Sequence, residues 1–152
     1  MWTPDEILQF CHRFTDMNFQ KCLPFLIVIQ LLLPCSTNSQ MITDAPADIG
    51  GTATTFSPTD LVATGLLTCI MTTMALVAER GGVKLDGMTG RIEKTMRKEP
   101  PRRIDSLKIN LRIPLNPDHP MRDKLEATAS ACPVHLSLHP DITETISFEW
   151  SL

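Results

Sequence analysis

The longest uninterrupted hydrophobic pattern is an uncharged stretch of eighteen residues, Leu61 to Ala78. Ser57 and Pro58 precede it, and they predict a helix start because serine caps helices and proline suits the first helical position. The pair Gly81-Gly82 predicts the end, since glycine commonly follows the last helical residue. The pattern therefore predicts one long helix that is apolar on all sides.

An apolar helix of this length fits two environments, a membrane or a protein core. Four threonines and one glycine dilute its apolarity, and no aromatic belt flanks it. We therefore expect no membrane span. In a soluble protein such a helix is enclosed by other elements or by a second subunit.

After this helix, the spacing of the apolar residues changes from a helical pattern to the alternation typical of strands. Residues 83–96 carry turn signals typical of strand pieces, and 104–113 alternates as a strand from Leu107 onward. A second helix is predicted over 121–131 and is interrupted at Cys132-Pro133. Residues 143–150 alternate again, with apolar side chains on one face. Helices and strands in this order indicate an α+β fold.

The first third of the chain differs in composition from the rest, since no glycine precedes Gly50. Its apolar run over 23–33 is too short to span a bilayer, and acidic residues precede it where a signal peptide would be basic. We expect a buried strand or helix segment there. The predicted organisation is an atypical leader over 1–38 and a single domain over 39–152.

Composition narrows the class of protein. The chain has 152 residues, is 43% hydrophobic and 20% charged, and carries a net charge of −3, which is typical of a globular domain. The acidic balance argues against a nucleic-acid partner. Five irregularly spaced cysteines without a CxxC pair argue against zinc and against a secreted disulfide framework. Phosphate loops and the common hydrolase motifs are absent from the sequence.

Two cysteines remain as candidate nucleophiles. Pro133 favours the first position of a new helix, which places Cys132 at its amino end, where the dipole is expected to lower the thiol pKa. Cys69 lies on a stripe of small residues with Gly65 and Thr73. The alternative for either residue is a buried small hydrophobic side chain.

Two other patterns are weaker. His135 and His139 are spaced as a metal pair would be on a helix, but Pro140 and the lack of a third ligand argue against a metal site. We expect surface or partner contacts for both histidines. The basic run over 94–103 is expected to be a solvated turn between strands.

Five segments from residue 40 onward form a distinctive combination: Ile42 to Pro46, Gly50-Gly51, Phe56 to Leu61, the helix with Cys69, and Cys132 to Asp141. In these segments the chain resembles the OsmC/Ohr family of thiol-dependent hydroperoxide reductases. The closest likeness is to the branch with ITDAP and CPVHxSLHPD motifs.

This resemblance implies an OsmC-like fold, in which an antiparallel sheet wraps around long central helices of an intertwined homodimer. It also implies a cytoplasmic antioxidant enzyme of the stress response. The Cys69 thiolate would attack an organic hydroperoxide, become a sulfenic acid, and condense with Cys132 to a disulfide. An external dithiol or a lipoyl protein would reduce that disulfide, with no metal or other cofactor.

The chain departs from the family pattern at two positions. Thr59 stands ten residues before Cys69, where the better-studied branches carry a glutamate, and no arginine occurs between Arg13 and Arg80. Without a nearby cation, an apolar helix disfavours a thiolate. These departures sustain an alternative, a non-enzymatic binding protein for a lipid-like apolar ligand. The unusual leader is expected to be either strongly diverged or the product of an upstream start-site choice.

Overall fold

The computed structural model describes residues 27–30 and 40–151. The chain divides between Ser57 and Pro58 into two compact units, which are described separately. The predicted boundary between residues 38 and 39, and most of the leader, lie outside the described residues. Both remain predictions.

The first unit contains two antiparallel strands, β1 (Ile27–Gln30) and β2 (Gln40–Thr43), followed by a short 3-10 helix at Ala47–Ile49. The loop after β2 folds around the buried Asp44 carboxylate. That carboxylate accepts backbone hydrogen bonds from residues at both ends of the loop: Ala45, Thr52 and Thr54. A hydrogen bond from the Thr52 hydroxyl is the largest of the contributions that lower the pKa of Asp44.

Gly51 shows why this loop needs a glycine. A Cβ atom at that position would lie 1.7 Å from the Ala45 carbonyl oxygen, far inside van der Waals contact. The Ile42 to Pro46 and Gly50-Gly51 motifs thus belong to one tight loop, which is held together by hydrogen bonds to a single carboxylate.

The second unit combines three helices with a three-stranded sheet. Its elements are α1 (Pro58–Arg80), β3 (Thr89–Met96), β4 (Ile104–Ile113), α2 (Arg122–Ala129), α3 (Pro133–Ser137) and β5 (Thr143–Trp150). The predicted order of helices and strands is confirmed, but the strand predicted within 83–96 begins only at Thr89, and α2 spans Arg122–Ala129 rather than 121–131.

The sheet is mixed, which corrects the expectation of an antiparallel one. Strand β4 lies in the centre, antiparallel to β3 and parallel to β5. Parallel neighbours need a long crossover connection, and α2 and α3 supply it between β4 and β5. The α+β class itself is confirmed.

The core lies between α1 and β4. Four alternate side chains of β4 are fully or almost fully buried: Leu107, Ile109, Leu111 and Ile113. The residues of α1 that join this core follow helical spacing on one face: Ala63, Leu66, Ile70, Met74 and Ala78.

The face of α1 opposite the core carries the exposed residues Thr64, Thr68 and Thr72, and a flank in line with Cys69 is also not enclosed within the described residues. Val62 is 39% exposed and Leu76 is 48% exposed, although both are apolar. Within the described part of the chain, α1 is the one helix long and apolar enough to cross a membrane, with a mean hydropathy of 2.0. Core helices of soluble proteins pass the same test of length and composition. Among residues 40–151, α1 is therefore covered on one side only.

The central strand provides a test of this packing. Ile109→Ala removes a fully buried side chain from β4, and we expect the free energy of unfolding to fall by about 2–5 kcal/mol. Urea denaturation measures the change. Lys108→Ala, at the exposed neighbouring position, is the matched control and should change stability by less than about 0.5 kcal/mol. Equal losses in the two variants would contradict the described core.

Candidate active site

Cys132 occupies the position just before α3. Its backbone is extended, with φ −71° and ψ 146°, and Pro133 is the first helical residue, as the sequence predicts. The backbone N–H of His135 donates a hydrogen bond of 3.3 Å to the Cys132 Sγ. The side chain is fully buried in the core of the second unit.

The electrostatic prediction for Cys132 is wrong. Burial raises the pKa of the Cys132 thiol, because the charged thiolate loses its hydration. The hydrogen bond from the His135 N–H lowers the pKa, but its effect is smaller than that of burial. The neighbouring Cys69 thiol raises the pKa further, both by hydrogen bonding and by charge. Burial of the sulfur thus raises the pKa of Cys132 by more than the hydrogen bond at the start of α3 lowers it.

Cys69 lies in the middle of α1, is partly buried, and packs against the same core. It lies near enough to Cys132 to raise the pKa of the Cys132 thiol. Both are free thiols. The structure therefore brings together the two predicted site residues, which are 63 positions apart in the sequence.

His135 has a specific partner that the sequence analysis missed. Its Nδ1 lies 2.8 Å from Oε2 of Glu144 on β5, and the Glu144 side chain is only 12% exposed. The alternation of β5 was the available signal, because it places Glu144 on the same face as Ile146 and Phe148. A carboxylate on the core side of a strand requires a hydrogen-bond donor.

Lys94 on β3 contacts the start of α1, where Thr59 stands in place of the family glutamate. Lys94 Nζ lies 2.7 Å from Thr59 Oγ1 and 2.6 Å from Asp60 Oδ1. The Lys94 side chain is only 13% exposed, so the first residue of the basic run is not in the solvated turn expected for it. Asp60 precedes Cys69 by nine residues, about 13.5 Å along the helix axis. This ion pair consequently lies away from the thiols.

The two histidines are not placed as a metal pair. Helix α3 ends at Ser137, so His135 and His139 do not share a helix. His139 Nδ1 instead accepts a hydrogen bond from the backbone N–H of Asp141. Across residues 40–151, no three His, Cys, Asp or Glu side chains form a cluster suited to a metal ion.

Two open depressions lie on the second unit, with volumes of about 330 and 450 Å³. The first lies on the sheet between Arg91 and Glu149, and the second lies at the end of α1 beside Leu76. Neither is lined by Cys69 or Cys132. The geometry at the cysteines is thus that of two adjoining thiols at the edge of a packed core.

The fold and the adjoining thiols define an α+β protein built on a long central helix with a cysteine pair. Comparison with known families gives a match to the OsmC-like protein family over residues 51–147. The chain belongs to the OsmC family. Among curated proteins, none matches the sequence significantly.

Solved structures of the same fold support this assignment. A protein from Psychrobacter arcticus, described provisionally as an osmotic stress induced and detoxification response protein, is 30% identical with a TM-score of 0.72. That match covers 88% of this chain and all of the other. An organic hydroperoxide resistance protein OsmC from Legionella pneumophila is 18% identical, with a TM-score of 0.60 and coverage of 85% and 99%.

A third match is the organic hydroperoxide resistance protein OhrB of Bacillus subtilis, at 16% identity and a TM-score of 0.53. It covers 82% of this chain and 97% of the other. At these lower identities the likeness establishes the fold alone. The OsmC-like fold predicted from the sequence is confirmed.

The buried thiol provides a test of the site. In Cys69→Ser, we expect iodoacetamide to label native Cys132 at pH 7 at least about tenfold more slowly than in urea, because burial blocks access and raises the pKa of Cys132. The rate should rise as pH increases beyond the ordinary thiol range, since thiolate forms only there. Peptide mass spectrometry resolves Cys132 from the other cysteines. Equal rates in the native and unfolded protein would contradict the described burial.

Proposed function

We propose that this protein is a thiol-dependent peroxidase that reduces organic hydroperoxides through a Cys69 sulfenic acid and a Cys69–Cys132 disulfide. The observation that carries the proposal is that Cys69 packs against the core cluster that contains Cys132, near enough to raise the pKa of the Cys132 thiol. Family relatives named for organic hydroperoxide resistance support the substrate class. We propose a cytoplasmic location, where a reducing environment would favour return of the disulfide to two thiols.

The first step assigns the attack to Cys69. Its thiolate attacks the terminal peroxide oxygen, the O–O bond breaks, and the alkoxide leaves as an alcohol after taking up a proton. The sulfur of Cys69 is oxidised to a sulfenic acid. Cys69 suits this role better than Cys132, because it is only partly buried whereas Cys132 is enclosed.

The second step assigns resolution to Cys132. Its sulfur attacks the sulfenic sulfur of Cys69, the S–S bond forms, and the S–O bond breaks. The leaving hydroxide takes the Cys132 proton and departs as water. An external dithiol, either a small molecule or a lipoyl protein, then reduces the disulfide and is itself oxidised.

A second copy of the chain is the proposed partner of the uncovered face of α1. This face carries Val62 and Leu76, and exposed apolar area of this kind is typical of a subunit interface. Packing against another copy would enclose the helix as its all-round apolarity predicts. The homodimer would also account for the membrane-like hydropathy of α1 without a membrane.

The chemistry is tested by adding one equivalent of an organic hydroperoxide to the reduced protein. We expect rapid loss of peroxide and a Cys69–Cys132 disulfide, mapped by peptide mass spectrometry. Cys69→Ser should abolish peroxide consumption. Cys132→Ser should consume one equivalent and leave Cys69 as a sulfenic acid that dimedone traps, because the resolving thiol is missing.

The opposite outcome has a defined meaning. If Cys69 and Cys132 both stay reduced for many minutes in a folded protein, the peroxidase proposal fails. Thr59, in place of the family glutamate, would then favour the alternative of a binding protein for a lipid-like apolar ligand. Native mass spectrometry of the purified protein, before and after organic extraction, would detect such a ligand.

The dimer is tested by sedimentation velocity at micromolar concentration. Leu76→Asp places a charge on the uncovered face of α1, and we expect it to shift the protein from dimer to monomer. Ser147→Asp, on the exposed polar face of β5, is the control and should remain dimeric. A monomeric parent protein would exclude the proposed interface.

A further inference from the structure

The hydrogen bond between His135 and Glu144 takes no part in either proposed chemical step, yet it lies beside the resolving thiol. The Nδ1–Oε2 distance is 2.8 Å, and Glu144 is largely enclosed. This contact connects α3, which carries His135, to β5, which carries Glu144.

Helix α3 needs such a connection because it is short. It has five residues, and none of them is fully buried. Its backbone bonds include those from Leu136 N–H to the Cys132 carbonyl and from Leu138 N–H to the His135 carbonyl, at 3.1 and 3.2 Å. A single helical turn is not stable by itself in water. Contacts with the rest of the unit must set its orientation.

His135 connects this anchor to the thiol. Its side chain bonds to Glu144, while its backbone N–H donates to the Cys132 Sγ at 3.3 Å. A rotation of α3 that breaks the first contact therefore displaces the donor of the second. The position of the Cys132 sulfur thus depends on a carboxylate that does not touch it.

We propose that His135 and Glu144 are a positioning pair, which holds α3 in the orientation that lets the Cys132 sulfur bond to that of Cys69. The inference rests on the proposed function and assigns residues to its second step. A disulfide requires an S–S distance of about 2.05 Å and a dihedral angle near 90°. Small rotations of α3 therefore reduce the fraction of molecules ready to react.

The kinetic test separates the two steps. Glu144→Ala should slow formation of the Cys69–Cys132 disulfide about tenfold after hydroperoxide addition. The rate of sulfenic acid formation at Cys69, followed by dimedone trapping and rapid quench, should not change. Glu144→Gln should restore the disulfide rate, because its amide group can still form a hydrogen bond with the His135 Nδ1. A purely structural loss would alter both steps.

Glu126→Ala is the matched control. The Glu126 carboxylate is partly buried and also accepts from a ring nitrogen, Trp150 Nε1, at 2.9 Å, as well as from Arg122 Nε at 2.9 Å. Its removal should lower thermal stability without changing either rate. His135→Ala keeps the backbone N–H but removes the ring, and should reproduce the slow disulfide of Glu144→Ala. It replaces Glu144→Ala if that variant does not fold.

A measurement without peroxide distinguishes this inference from the proposed function. Equilibration with reduced and oxidised dithiothreitol gives the stability of the Cys69–Cys132 disulfide. Glu144→Ala should shift this equilibrium about tenfold towards the dithiol, whereas Glu126→Ala should match the parent protein. If the parent protein forms the disulfide with oxidised dithiothreitol but not with hydroperoxide, the peroxidase proposal fails and the positioning role is still testable. Equal equilibrium constants in all three proteins overturn the positioning role.

Discussion

The packing of one face of α1 against β4 is the constraint on which the rest of the second unit depends. The central strand supplies four consecutive inward-facing residues that are essentially inaccessible to water, from Leu107 to Ile113. Each such burial contributes about 1.5–3 kcal/mol relative to exposure. Because helical residues recur every 3.6 positions, placing Leu66 and Ile70 in the core leaves Cys69 at its margin. The partial exposure of Cys69 is thus a consequence of core packing.

The crossover between β4 and β5 brings the second thiol to the first. A parallel pair of strands forces the chain to return across the sheet, and α3 on this return packs against α1. Pro133 starts α3 and leaves Cys132 extended before it, facing the core. Two cysteines that are distant in sequence become neighbours because of sheet topology. No local property of either residue would produce that approach.

Much of this arrangement could be predicted from the sequence. Alternation located β5, and the Ser57-Pro58 and Gly81-Gly82 signals located α1, because these features depend on nearby residues. The parallel pairing of β5 could not be deduced from alternation, since either strand direction buries the same face. The raised pKa of Cys132 depends on side chains distant in sequence. The Glu144 partner required knowledge of which elements α3 approaches.

The charges at the start of α1 are rearranged relative to the family pattern. A lysine near a helix amino end opposes the helix dipole, and Asp60 offsets this by pairing with Lys94. The Lys94 cation therefore lies away from Cys69. Burial raises the pKa of Cys132 and disfavours its thiolate, whereas Cys69 is only partly buried. In the proposed reaction Cys132 therefore acts second, once Cys69 carries the sulfenic acid.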